Sequence, residues 1–100
     1  MRRMLVRYKT KPDLTAQNQS LIEGVFAELK ARPPEGLRYM VLKIGEGEFV
    51  HFVEYEGATS PLSGLEAFRA FQNGVSERCL ERPQSGEASI VGNYRMLSER

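Results

Sequence analysis

The order of the hydrophobic patterns is the feature that most limits how this chain can fold. Segments in which apolar residues recur at every second position alternate with two segments in which they recur at helical spacing. These patterns predict strands at residues 4–11, 37–44, 48–55 and 88–96, and helices at residues 15–32 and 65–80. The resulting order is the split βαβ pattern of ferredoxin-like α+β domains. It predicts a two-layer sandwich of two helices on one face of a four-stranded antiparallel sheet, with the first and third strands central.

Glycines refine this prediction at two places. Residues 45–47 (Gly-Glu-Gly) form a three-residue connection, a common length in β-hairpins. That loop places Val41 opposite His51 and Tyr39 opposite Val53, so the odd-numbered residues of these two strands share a face. Gly74 lies inside the second helical segment, where glycine is disfavoured, and predicts a break or kink there.

Strand parity predicts which face of the sheet the helices cover. The even-numbered strand positions are nearly all apolar, and we assign them to the side beneath the helices. They are Met4, Val6, Tyr8, Met40, Leu42, Ile44, Val50, Phe52, Ala88, Ile90, Gly92 and Tyr94. The odd-numbered positions include apolar residues that no remaining segment can cover, namely Tyr39, Val41, Phe49, Val53, Tyr55 and Val91. An exposed apolar patch of this kind indicates an interaction surface, and we expect a second copy of the chain to cover it as a homodimer.

Composition limits the remaining possibilities. A chain of 100 residues is expected to form a single domain spanning residues 1–100. The formal net charge of +1 argues against general binding to nucleic acid or to a membrane surface. One cysteine, Cys79, and one histidine cannot form a cysteine-based zinc cluster or an internal disulfide, so no metal site is predicted. With no secretory signal and no long apolar run, we expect a cytoplasmic protein.

The element order, the length and the strand EFVHFVE at residues 48–54 resemble the dimeric α+β barrel superfamily. The chain is most similar to its small antibiotic-biosynthesis-monooxygenase-like members. The resemblance covers nearly the whole chain and implies that two sheets face each other and enclose a cavity. It also implies a choice among cofactor-independent oxygenation, haem degradation, isomerisation of small rings and ligand sensing. The chain lacks the tryptophan of the haem-degrading members, and its histidine lies on a strand, so haem chemistry is not expected and no cofactor is predicted.

His51 is the main candidate for catalysis, because its charge changes near neutral pH. Within a cavity on the open face, it is predicted to remove a proton from a phenolic or enolic substrate. Arg7 on the first strand is predicted to stabilise the resulting oxyanion. Tyr39, Tyr55 and Asn93 are predicted to orient the substrate.

The same residues permit other interpretations. His51 can instead be a hydrogen-bonded residue of the dimer interface, and Arg7 can pair with Glu48 or Glu54. The whole chain can then be a non-enzymatic ligand-binding or assembly module. The main hypothesis is binding, oxidation or isomerisation of a small aromatic or enolic metabolite.

Overall fold

The computed structural model describes residues 1–97 as an antiparallel sheet with helices on one side. Its strands are β1 (Arg2–Lys9), β2 (Leu37–Ile44), β3 (Glu48–Tyr55) and β4 (Gln84–Glu87). Its helices are α1 (Thr15–Ala31), α2 (Glu66–Gln72) and α3 (Val75–Arg78). Short 3-10 turns occupy Pro12–Leu14 and Pro61–Gly64. This confirms the predicted ferredoxin-like α+β sandwich.

The sheet has the order β2-β3-β1-β4, so the first and third strands are central as predicted. The hairpin register is also confirmed, because Val41 lies opposite His51 and Tyr39 lies opposite Val53. Gly45 adopts a φ of 61° in the connecting loop, a left-handed conformation that glycine accepts at low cost.

The helices cover the sheet through one apolar stripe each. In α1 the buried positions include Asn18, Ile22 and Val25, spaced three and four residues apart. The second predicted helix is divided at Gly74, whose φ is 82°, and continues as α3 after the break. The break predicted from glycine is thus confirmed.

The prediction that odd-numbered residues face away from the helices is wrong for β2 and β3. In the antiparallel pairing, Val6 of β1 lies opposite His51 and Tyr8 lies opposite Phe49. Directly opposed residues point to the same face of a sheet. The even-numbered side chains of β1 therefore lie on the same face as the odd-numbered side chains of β2 and β3. Phe49, 1% exposed, therefore belongs to the core with Tyr8, and Val53 packs against it beneath the helices.

The open face of the sheet carries the even-numbered side chains of β2 and β3. Met40, Leu42 and Ile44 on β2 lie exposed there, at 40%, 50% and 53% of their full accessible area. Val50 and Phe52 on β3 are half-buried on the same side. The sheet thus has an apolar helix-free face, made of different residues from those predicted.

The predicted last strand at residues 88–96 is also wrong. β4 comes earlier and pairs with β1 from Arg7 opposite Gln84 to Met4 opposite Glu87. Running antiparallel, the chain then passes the start of β1 and loses its neighbour, after a final hydrogen bond from Ala88 N to Arg3 O of 2.8 Å. Val91 and Tyr94 consequently lie exposed.

No helix within residues 1–97 is both long and apolar enough to cross a bilayer.

Candidate functional site

A cavity of about 250 Å³ lies between the sheet and the helices. Its lining comprises Val6, Tyr8, Tyr39, His51, Val53, Leu62, Phe68, Phe71, Gln72, Val75, Pro83 and Ser85. Most of these side chains are apolar or aromatic, and the polar groups are few. This combination is typical of small-molecule sites.

His51 lies at the centre of the polar edge of this cavity. Its side chain is 6% exposed, and both ring nitrogens are engaged by tyrosine hydroxyls. Nε2 lies 2.8 Å from Tyr8 Oη, and Nδ1 lies 2.7 Å from Tyr39 Oη. The ring of Phe71 packs on the imidazole at a centroid distance of 5.2 Å. The imidazole therefore borders the cavity with its ring carbons, while its two nitrogens are bonded to tyrosines that also line the cavity.

Two more side chains extend this arrangement away from the cavity. Asn18 Nδ2 donates a hydrogen bond of 3.0 Å to Tyr8 Oη. Arg78 Nε donates one of 3.0 Å to Asn18 Oδ1, and the rest of the guanidinium donates to the backbone oxygens of Phe71 and Asn73. We call Arg78, Asn18, Tyr8, His51 and Tyr39 the buried polar chain.

Burial sets the protonation of the buried polar chain. Desolvation lowers the pKa of His51 to about 4, so the ring is neutral at neutral pH. Desolvation raises the pKa of Tyr8 to about 12, against the opposing effects of the Asn18 hydrogen bond and the Arg78 charge. The pKa of Tyr39 is also raised, first by desolvation. At neutral pH the two phenols and the imidazole are all uncharged, and the positive charge resides on Arg78.

The structure brings together only two of the side chains predicted to form the site. His51 and Tyr39 share the cavity, but beneath the helices and not on the open face, so the predicted location is wrong. Tyr55 is buried at the far end of β3 and does not line this cavity. Asn93 is exposed, and its side chain binds the backbone of Met96 and Leu97.

Arg7 lies on the opposite face of the sheet from His51, so the prediction that they share a face is wrong. Its guanidinium Nη2 pairs with Glu48 Oε2 at 2.9 Å, as the alternative interpretation proposed. It lines a second cleft of about 400 Å³ together with Lys9 and Tyr8, and Tyr8 also lines the cavity beside His51. That cleft has no contact with the imidazole.

Sequence reasoning missed Asn18 and Arg78 and placed Tyr8 only in the core. A signal was present in the helix patterns. Asn18 occupies a position of the apolar stripe four residues before Ile22, and Arg78 follows Phe71 by seven residues, two helical turns. A polar residue on a buried stripe requires a partner, and that requirement points to a network.

The described residues offer little for metal binding. Within residues 1–97, no three His, Cys, Asp or Glu side chains converge. What the site does offer is an aromatic lining with a hydroxyl–imidazole–hydroxyl edge. That arrangement can hold a flat ring and donate or accept a hydrogen bond at one oxygen of it.

Solved structures share this architecture at low sequence identity. Rv0793 from Mycobacterium tuberculosis matches with a TM-score of 0.72 and 18% identity over 92% of this chain and 96% of that chain. A crystal structure named antibiotic biosynthesis monooxygenase matches with a TM-score of 0.73 and 17% identity, over 92% of this chain and 100% of that chain. A variant of SnoaB, a cofactor-independent oxygenase from Streptomyces nogalater, matches with a TM-score of 0.61 and 14% identity, over 94% and 96%.

No protein-family model matches the chain, and no curated protein matches its sequence. The relation is thus one of fold, and it covers nearly the full length of each compared structure. The chain has the ferredoxin-like α+β fold of these antibiotic-biosynthesis-monooxygenase-like structures.

Proposed function

We propose that the chain binds a small aromatic or enolic metabolite in the cavity between the sheet and the helices. The observation that carries this proposal is the set of side chains that lines this cavity. Aromatic side chains from both layers line a half-open space of about 250 Å³, and His51 and Tyr39 are among its polar groups. Tyr39 is held against Phe26 by stacking at a centroid distance of 5.0 Å, so its hydroxyl has a fixed position.

Oxidation or isomerisation of such a ligand is the enzymatic form of this proposal, and it begins with loss of a ligand proton. The role of His51 as general base stays a prediction. Because both ring nitrogens are bound to tyrosines, the ligand can exchange a proton with His51 only through a tyrosine hydroxyl. Arg7 has no part in this site.

The fold of SnoaB and of the structure named antibiotic biosynthesis monooxygenase supports a small-molecule site in a chain of this shape. The alternative function is ligand binding without turnover. Both forms require the cavity to be occupied.

The test is calorimetric titration with single-ring phenols and enols. Val75→Phe narrows the cavity and is expected to weaken binding at least tenfold, which corresponds to about 1.4 kcal/mol. Ala27→Phe adds a similar volume on the exposed side of α1 and serves as the control. Unchanged affinity in a folded Val75→Phe variant contradicts this location, and no binding by the unmodified protein contradicts the proposal.

We also propose that a second copy of the chain covers the open face. The exposed β2 residues and the half-buried Val50 and Phe52 form an apolar surface on the side of the sheet away from the helices. The segment at residues 88–97 adds exposed apolar side chains, among them Ile90, Val91 and Tyr94, that its own sheet does not cover. One copy thus presents both an uncovered face and an uncovered extended segment, and a symmetric pair can bury both.

A further inference from the structure

The buried polar chain has a direction, which begins at Arg78. A guanidinium can only donate hydrogen bonds, so Arg78 Nε donates to the Asn18 side-chain oxygen at 3.0 Å. This bond fixes the orientation of the amide and turns Asn18 Nδ2 toward Tyr8. Asn18 therefore donates to Tyr8 Oη at 3.0 Å, and the hydroxyl of Tyr8 must direct its own proton elsewhere.

That proton has one acceptor among the described residues, His51 Nε2 at 2.8 Å. A neutral imidazole that accepts at Nε2 carries its proton on Nδ1, and it then donates to Tyr39 Oη at 2.7 Å. The opposite tautomer would leave the Tyr8 proton without an acceptor in residues 1–97, on a side chain that is 6% exposed. An unmet donor is less costly at half-buried Tyr39, so we assign the Nδ1–H tautomer.

Arg78 gives the buried polar chain an electrostatic bias in the same direction. Its side chain is 5% exposed, and no carboxylate in residues 1–97 forms an ion pair with it. Its charge is met by Asn18, by backbone oxygens and by the ring of Phe71, whose centroid lies 5.3 Å from the guanidinium carbon. In surroundings of low dielectric, such a charge polarises successive hydrogen bonds and favours negative charge at their far end.

We propose that the buried polar chain presents the Tyr39 hydroxyl proton to the cavity and thereby selects ligands whose oxygen is anionic, such as a phenolate or an enolate. This inference rests on the proposed function and specifies the charge state in which the ligand is held. The ligand proton leaves to solvent, and no covalent bond of the protein changes. His51 is then a positioning residue that orients Tyr39. The buried polar chain stabilises the oxyanion of the ligand and does not itself remove the ligand proton.

The tautomer of His51 tests the direction without any ligand. The chain contains one histidine, so its two ring nitrogens can be assigned in a nitrogen-15 NMR spectrum without ambiguity. We expect a protonated Nδ1 and an unprotonated Nε2 throughout the neutral pH range. A protonated Nε2 reverses the direction and overturns the proposal.

The selection of anions is tested with 4-nitrophenol, whose phenolate absorbs visible light, and with 4-nitroanisole, which cannot ionise. We expect the protein to bind the phenolate in preference to the phenol and so to lower the apparent pKa of bound nitrophenol. Tyr39→Phe keeps the ring that stacks on Phe26 and is expected to weaken nitrophenolate binding by roughly tenfold to a hundredfold, as for loss of a hydrogen bond to a charged group. Binding of 4-nitroanisole should not change.

Tyr55→Phe is the matched control, because it removes a buried hydroxyl that does not line the cavity. If both probes bind equally and Tyr39→Phe alters neither, anion selection is wrong while the proposed function stands. If neither probe nor any other single-ring phenol or enol binds, the proposed function and the selection both fail.

Discussion

At the scale of single residues, the burial of His51 makes stability depend on pH. Its pKa is lowered to about 4 in the folded chain, against about 6.5 when unfolded. Between these values the unfolded chain binds the extra proton, so the contribution of the neutral ring is complete above pH 6.5 and is lost as pH falls toward 4. The expected loss is roughly 3 kcal/mol in the free energy of unfolding.

Urea denaturation between pH 7 and pH 4 measures this loss, and His51→Gln is the control. Glutamine does not titrate, while every carboxylate is shared by the two proteins. The pH dependence of the variant should therefore be shallower over this interval. Equal slopes in the two proteins would mean that the imidazole titrates normally in the fold.

His51 and Tyr39 are found from the sequence because hairpin register places them near each other on one strand pair. Tyr8, Asn18 and Arg78 are harder to assign, since their partners lie far away along the chain. Arg78 and Asn18 are 60 residues apart, and only the packing of the second helical region on α1 brings them together. The predicted face of Arg7 is wrong for a different reason, the register between β1 and β3.

At the scale of elements, parity within a hairpin can be predicted, but parity between distant strands cannot. The three-residue loop fixes β2 relative to β3, and that register is confirmed. No short turn joins β1 to β3, so packing sets the register between these two strands. The observed register differs by one residue from the predicted one, which exchanges the two faces of β2 and β3 relative to β1. All helix-side residues of β2 and β3, with His51 among them, move with that shift.

The last strand illustrates a second limit. The alternation at residues 88–96 is a valid strand pattern, but a strand also needs a neighbour. β1 is too short to pair with both residues 84–87 and the segment that follows. The apolar alternation of a segment does not show whether its neighbouring strand lies in the same chain or in a second copy of the chain.

Two glycines of the helical regions should respond in opposite ways to alanine. Gly74 adopts a φ of 82° at the break before α3, where alanine is strained, so Gly74→Ala should lower the free energy of unfolding by about 1–2 kcal/mol. Gly24 lies within α1 with nothing within 4 Å of an added Cβ, so Gly24→Ala should raise it by about 0.5–1 kcal/mol. Chemical denaturation of both variants measures the difference. A stabilising Gly74→Ala would contradict the helix break.

At the scale of the whole molecule, the open face predicts self-association. Burying each large apolar side chain contributes roughly 1.5–3 kcal/mol, and several together can exceed the cost of association. Leu42→Glu places a charge in the middle of exposed β2 and should shift the chain from dimer to monomer in analytical ultracentrifugation. Ala27→Glu adds the same charge on the outer side of α1 and should leave the dimer intact. A monomeric unmodified chain at micromolar concentration would contradict the proposed pair.

We thus propose different roles for the two faces of the sheet, ligand binding beneath the helices and association on the open side. Intermolecular NOEs from a bound single-ring phenol test this division most directly. We predict NOEs to the ring protons of Phe71 and Tyr39, and none to the methyl groups of Met40 and Leu42. NOEs confined to those open-face methyl groups would contradict the central claim that the cavity beside His51 is the binding site.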